Sequence, residues 1–328
     1  MDWGDWVRRC TVSSHSRLHL GFLDLHGGLG RMFGSIGVGL ESPCMILEAV
    51  SSPVLEVEGD DPERTYYFAK KFYQAAGIPE GTRSSLRLRS GLPPHSGLGS
   101  GTQLALTTGK ALSLLHDIPY TTREIASMMG RGRRSGAGIA LFDDGGLVID
   151  GGRKTDGRDV LPPLILRKKI PENWFFVVAI PGSDKGMSGE KEVEAFRDLP
   201  GPSPEVSGAI CREILMRLLP ALEEKDLKTF GEAVTSVQRM VGDCFAPAQS
   251  GRFASPLSES IVRSMKELGA AGVGQSSWGP AVYGIVEGIG AAGDLAAEIA
   301  GLFGDQEELA VTVSAASQKG AAWNVESI

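Results

Sequence analysis

The chain has 328 residues, a formal net charge of −7, 42% hydrophobic residues and 44 glycines. That length and apolar content build one large or two modest domains around a buried core. The acidic balance excludes a general nucleic-acid binder, and the glycines gather in loops without a period, which excludes collagen-like and low-complexity chains.

Cys10, Cys44, Cys211 and Cys244 are widely spread without metal-type spacing, so reduced structural thiols are expected. The segment Met1–Trp6 has no apolar signal core. No run approaches the ~18 apolar residues of a membrane span. A soluble cytoplasmic protein is the expectation.

In chain order, residues 7–14 and 36–40 predict short strands with glycine-rich turns between them, and 45–58 predicts an alternating strand. Residues 62–76 place aromatic and apolar side chains at helical spacing. Residues 85–90 alternate Leu86 and Leu88 with Arg87 and Arg89, a half-buried strand. A helix over 103–116 follows. Another over 122–129 has Thr121 or Thr122 as its cap and Glu124 in its first turn. Strands are predicted at 140–142 and 147–149, and the continuous apolar run 174–180 predicts a buried one. Pro200–Pro204 is a proline-rich break. Helices over 205–219, 227–244, 258–268 and 293–302 come next, with strands at 282–286 and 309–313. The order reads as an α+β fold in two domains, 1–186 and 187–328.

Between the strand at 85–90 and the helix at 103–116 lies the most informative segment. Gly91–Leu106 is a proline-kinked, glycine-rich loop running into an amphipathic helix. Gly97, Gly99 and Gly101 let backbone approach a ligand without a Cβ in the way. Ser96, Ser100 and Thr102 add hydroxyls, and the helix start adds partial positive charge. By composition this is an anion cradle or a glycine-rich turn that only caps the helix, and no Gly-Lys-Ser/Thr follows, so it is not a Walker loop.

The Pro-x-x-x-Gly-Leu-Gly-Ser pattern at 93–100 resembles the phosphate loop of the galactokinase, homoserine kinase, mevalonate kinase and phosphomevalonate kinase (GHMP) superfamily. Ser14–Gly21 is similar to the superfamily's first motif, and Gly272–Gly279 stands in the place of its C-terminal glycine-rich motif. The resemblance implies a GHMP-kinase-like two-domain fold. Its N-terminal domain would be ribosomal-protein-S5-like, with the phosphate loop at 93–103, and its C-terminal domain ferredoxin-like.

Kinases of this superfamily place an aspartate soon after a Ser-Gly turn in mid-chain. Here Gly130–Ile139 contains Arg131, Arg133 and Arg134 and no carboxylate before Asp143. A base for a hydroxyl proton is missing, while anion-binding capacity is raised. Ser100-Gly-Thr-Gln103 also departs from the more usual Ser-Ser-Ala. Together with Arg17–Asp24, Gly30–Gly34, Gly145–Gly152 and Gln275–Pro280, these departures resemble the β-ribofuranosylaminobenzene 5′-phosphate synthase family.

That resemblance implies phosphoribosyl pyrophosphate and 4-aminobenzoate or 4-hydroxybenzoate as substrates. The products would be a C-riboside 5′-phosphate, CO₂ and pyrophosphate, on the route to methanopterin. It implies Mg²⁺ without an organic cofactor, a homodimer, and neither nucleic-acid nor membrane partners.

Arg17, His19 and Asp24 are the candidate catalytic residues. Arg17 and His19 would share a strand face and contact phosphate or pyrophosphate, and Asp24 would hold Mg²⁺ or orient substrate. Arg31, Ser96, Gly97, Leu98, Gly99, Ser100, Gly101, Thr102, Gln103, Arg131, Arg134, Ser135, Ser276 and Trp278 are the candidate substrate contacts. Ser100 and Asp24 are the candidate metal ligands. Trp278 would either stack on the aromatic acid or pack in the core. Asp184, Lys185 and Gly186 would contact substrate or lie on a loop surface. Two other functions stay open on the sequence: an ATP-dependent small-molecule kinase with an atypical base, and a non-catalytic sensor of a phosphoribosyl ligand.

Overall fold

The computed structural model describes residues 8–79, 82–158, 160–182, 201–249, 251–304 and 308–327. The expected boundary at 186/187 lies outside these residues, as do Asp184, Lys185 and Gly186.

The framework is two long antiparallel strands, β1 (Arg8–Asp24) and β2 (Arg31–Ser52). These replace the short strands expected at 7–14, 36–40 and 45–58. Serines, glycines and Pro43 dilute the alternation, and cross-strand pairing carries the strands through them. A register shift between His15 and Ser16 divides β1. Cys10 and Val12 lie in one core, and Leu18, Leu20 and Phe22 lie in another.

β3 (Glu56–Gly59) pairs parallel to β4 (Arg83–Ser90), with α1 (Pro62–Ala76) between them. Pro62 opens α1 and a left-handed Gly77 closes it. α2 (Ser100–Leu115) and α3 (Thr122–Met128) follow. Thr121 and Glu124 form a reciprocal capping box on α3. The strand expected at 140–142 is instead part of α4 (Ala137–Asp144). A short apolar run does not distinguish strand from helix. The helix lies close on β2, where a Cβ on Gly37 would be 2.9 Å from Ala137 Cβ.

β5 (Leu147–Asp150), β6 (Arg153–Lys154) and β7 (Leu164–Lys168) complete the first sheet on this side. The second sheet contains β8 (Trp174–Pro181), β9 (Gly272–Gln275), β10 (Val282–Glu287) and β11 (Leu309–Ala315), in the order β11-β8-β10-β9. This is the ferredoxin-like order.

Its helices are α5 (Pro204–Glu213), continued through a π turn at Ile214–Leu218 into α6 (Leu219–Glu224), then α7 (Leu227–Gln249), α8 (Pro256–Glu267) and α9 (Ile289–Phe303). β12 (Ala322–Ser327) returns to pair with β1. Pairing therefore crosses the expected linear division: 174–181 joins the second sheet and 322–327 joins the first.

One core joins the halves. Leu18, Leu20, Phe22, Ile36 and Leu98 meet Trp174, Phe176, Phe230, Val237 and Tyr283 in a single apolar cluster. Phe230 is fully buried, with its ring centroid 4.9 Å from that of Trp174. Phe230→Ala is expected to cost about 3–5 kcal/mol, read as a lower midpoint in urea unfolding; an unchanged midpoint would show that the cluster repacks.

Candidate functional site

The phosphate loop is clamped from two sides. Gly97 and Gly99 sit at φ +92° and +80°, which glycine adopts without strain. Inside the loop, Ser96 Oγ donates to Pro93 O at 2.8 Å, and Leu98 is buried as an anchor. From β1, Arg17 N donates to Leu98 O at 3.1 Å and Arg17 Nη1 to Gly97 O at 2.7 Å. From the second half, Ser276 Oγ donates to the same Gly97 oxygen at 2.8 Å and accepts from His19 N at 2.9 Å. Ala281 N donates to Ser96 O at 3.1 Å. A Cβ on Gly279 would lie 2.3 Å from Gly97 Cα, so only glycine permits this approach.

The loop ends on α2, whose N-cap is Gly99, with no side-chain cap bond. Thr102 N and Gln103 N donate to Gly99 O, each at 3.0 Å, so the N–H groups of Ser100 and Gly101 are the ones left to an incoming anion. Ser100 and Gln103 are buried in this turn. Gln103 Nε2 donates to Gly138 O at 3.1 Å, while its Oε1 is buried without a partner among the described residues. Thr102 packs on Gly138, where a Cβ would meet its Cγ2 at 3.1 Å.

The arginine turn reaches the same helix start. The Arg131 guanidinium nitrogens lie 3.6 Å from the position of a Cβ on Gly101, and its carbon is 4.8 Å from the Phe68 ring centroid. Burial, then the neighbouring Arg64 charge, lowers the Arg131 pKa. Ser135 has a different task. Its Oγ accepts from Ala137 N at 3.2 Å and lies 2.6 Å from Ser35 Oγ, and both hydroxyls face Asp150. Asp150 also accepts from Gly136 N and Gly152 N, each at 2.8 Å. This carboxylate, unassigned from the sequence, pins the base of the arginine turn. Burial outweighs its hydrogen bonds and raises its pKa.

Arg17 and His19 do come to one loop, in different ways. His19 is buried with its ring 4.5 Å from that of Phe22, and its Nε2 has no hydrogen-bond partner among the described residues. Burial, reinforced by Arg17 and Arg134, pushes its pKa down to about 3. The imidazole is therefore held neutral. Asp24 Oδ1 accepts from His26 N at 2.7 Å, Gly27 N at 3.0 Å and Ser207 Oγ at 3.0 Å, holding the β1 turn to α5. Arg31 donates to Gly151 O at 2.7 Å and Gly152 O at 2.8 Å, which staples the glycine turn after β5.

Trp278 is buried and stacked on Phe245, with centroids 4.2 Å apart at 21°. The core reading holds for it. A cleft beside it is lined by His19, Phe22, Phe245, Gln249, Arg252 and Ser277. Among the described residues no three His, Cys, Asp or Glu side chains cluster as metal ligands.

The GHMP kinase N-terminal domain model matches residues 63–145 and the C-terminal model matches 218–305. The β-ribofuranosylphenol 5′-phosphate synthase of Methanothermobacter thermautotrophicus is 36% identical over 307 residues, covering 86% of this chain and 90% of that one. That of Archaeoglobus fulgidus is 37% identical over 285 residues, covering 83% and 86%. The chain belongs to the β-ribofuranosylphenol 5′-phosphate synthase family. Homoserine kinase from Cytophaga hutchinsonii shares the fold at 16% identity, with a TM-score of 0.70 over 96% of this chain and 97% of that one. This synthase-family chain thus keeps a kinase fold while putting Gly138 and an arginine turn beside α2.

The depressed His19 pKa has a stability consequence. The unfolded imidazole, near its model value of 6.5, binds protons that the folded one refuses until about 3. Stability from this group is full above 6.5 and is lost as pH falls toward 3. His19→Gln is expected to flatten acid-side stability loss by up to roughly 1.4 kcal/mol per pH unit. Urea midpoints at pH 7, 6 and 5 check this, and parallel wild-type and variant curves would refute it.

Proposed function

We propose that the protein condenses phosphoribosyl pyrophosphate with 4-hydroxybenzoate or 4-aminobenzoate, giving a C-riboside 5′-phosphate, CO₂ and pyrophosphate in methanopterin biosynthesis. It is a pentosyltransferase. The observation that carries this reading is a guanidinium, not a carboxylate, set against the uncapped start of α2. The archaeal relatives are named for a phenol riboside, which favours 4-hydroxybenzoate as the acceptor.

The chemistry needs what this loop offers. The anomeric C–O bond breaks with its electron pair leaving on pyrophosphate. Backbone N–H groups of α2, with Arg134, stabilise that growing negative charge. The ring carbon bearing the carboxylate attacks the electron-poor anomeric carbon. Its bond to CO₂ then breaks, and the pair restores the aromatic ring. No hydroxyl proton has to be removed, which fits the absence of an acidic residue between Gly130 and Phe142.

Arg17 acts on the loop from beneath by holding the Gly97 carbonyl away from the anion. Mg²⁺ enters with the pyrophosphate as part of the substrate, because such an ion is held largely by phosphate and water oxygens. The Ser100 hydroxyl is the protein group proposed to meet it. Asp24 contributes through the turn it fixes. A homodimer and a cytoplasmic location are the remaining parts of the proposal. The latter is supported by four free cysteines and by the lack of any helix, among the described residues, long and apolar enough to cross a membrane.

Purified protein with Mg²⁺, phosphoribosyl pyrophosphate and carboxyl-labelled 4-hydroxybenzoate is expected to release labelled CO₂ and pyrophosphate in equal amounts. ADP formed from ATP and an alcohol without CO₂ release would overturn the reading. Arg17→Ala is expected to lower kcat/KM by at least ~10²-fold; near-normal turnover would show that the loop keeps its orientation without this side chain.

A further inference from the structure

Two guanidinium groups from distant parts of the chain share one corner beside α2. Arg64 stands in the first turn of α1, and Arg131 projects from the glycine turn. Arg64 and Phe68 stand four residues apart on α1 and so share a face, and the Arg131 guanidinium carbon lies 4.8 Å from the Phe68 ring centroid; the Arg64 charge accordingly lowers the Arg131 pKa. Arg64 Nε pairs with Asp61 Oδ2 at 2.8 Å, but its Nη2 is buried without a hydrogen-bond acceptor among the described residues. Arg131 Nε is in the same condition, with its guanidinium over the Phe68 ring. Like charges with buried, unbonded donors are unfavourable unless an anion completes the site.

We infer that Arg64 and Arg131 form a phosphate-monoester site distinct from the loop, and that it holds the 5′-phosphate of phosphoribosyl pyrophosphate. This rests on the substrate proposed above. The division of labour follows from charge and position. Pyrophosphate gains negative charge as the bond breaks, so it belongs on the loop's fixed N–H donors. The 5′-phosphate keeps its charge throughout and needs only a static fork of guanidinium donors.

Position agrees. Arg17 meets the loop at Gly97 and Gly99, on the side of the cleft lined by His19 and Ser277. Arg131 meets the helix at Gly101. An anomeric carbon facing the cleft would leave the 5′-phosphate toward Arg131 and Arg64. Arg64 was absent from the sequence-based candidates because nothing local marks it. It precedes an ordinary helical run and meets Arg131 only through the fold.

The test uses ribose 5-phosphate and pyrophosphate as separate competitive inhibitors against phosphoribosyl pyrophosphate. Arg64→Ala is expected to raise the inhibition constant of ribose 5-phosphate by at least ~10-fold. The KM for phosphoribosyl pyrophosphate should rise with it. The inhibition constant of pyrophosphate and the KM for the aromatic acid should stay within about twofold of wild type, since neither ligand meets this corner.

Unchanged ribose 5-phosphate inhibition, or a larger loss for pyrophosphate, would overturn the assignment. Arg64→Lys keeps the charge beside Asp61 and loses the fork. It should show the same selective loss in smaller measure, and it decides the matter if the alanine variant fails to melt cooperatively. A wild-type protein that turns over phosphoribosyl pyrophosphate but is not inhibited by ribose 5-phosphate overturns this site alone. One that does not bind phosphoribosyl pyrophosphate overturns the substrate as well.

Discussion

The carbonyl oxygen of Gly97 accepts two hydrogen bonds, one from Arg17 on the first strand and one from Ser276 in the second half. Turning that carbonyl inward leaves the opposite face of the loop to N–H groups. Two side chains nearly the whole chain apart thus set the direction in which the loop presents charge. The arrangement tolerates almost no substitution in volume, because Gly97 and Gly279 touch through their backbones. It also explains why the halves share a core: a loop clamped from both domains keeps its geometry only if the domains do not shift.

Around this loop the electrostatics run in one direction. Arg131 lies against the start of α2, and burial, with the Arg17 and Arg134 charges, keeps His19 neutral. Asp150, the buried carboxylate nearest the arginine turn in the hydrogen-bond network, is turned toward backbone N–H groups and two serines. It builds the turn and does not offset the cations. Donors of this kind suit a departing polyanion, and no carboxylate stands between Gly130 and Phe142 to accept an alcohol proton. The kinase-like fold and the non-kinase chemistry are compatible because the two depend on different residues.

Much of this is legible in the sequence alone. The glycine spacing at 97, 99 and 101 and the helix behind it marked the phosphate loop, and the run from Gly130 to Phe142 showed that the expected aspartate was missing. The illegible parts share a cause. β1 and β2 are longer than their alternation suggests because each supplies the other's hydrogen bonds. α4 reads as a strand because its few apolar residues fit both periods. The residue types of Asp24, Arg31 and Ser135 suit ligand contact, and only the fold shows the backbone groups that they also bond. Trp278 is stacked inside the core.

The sequence by itself carried the superfamily resemblance and the glycine-rich loop, because these depend on residue types at short spacings, and it left the reaction class open among three. Tertiary structure alone decided which polar side chains remain available to a ligand. That property depends on partners far along the chain: Ser276 for Gly97, Gly151 for Arg31, Arg64 for Arg131. Local sequence carries no record of such pairings, since the long-range packing that creates them also determines each group's desolvation and charge.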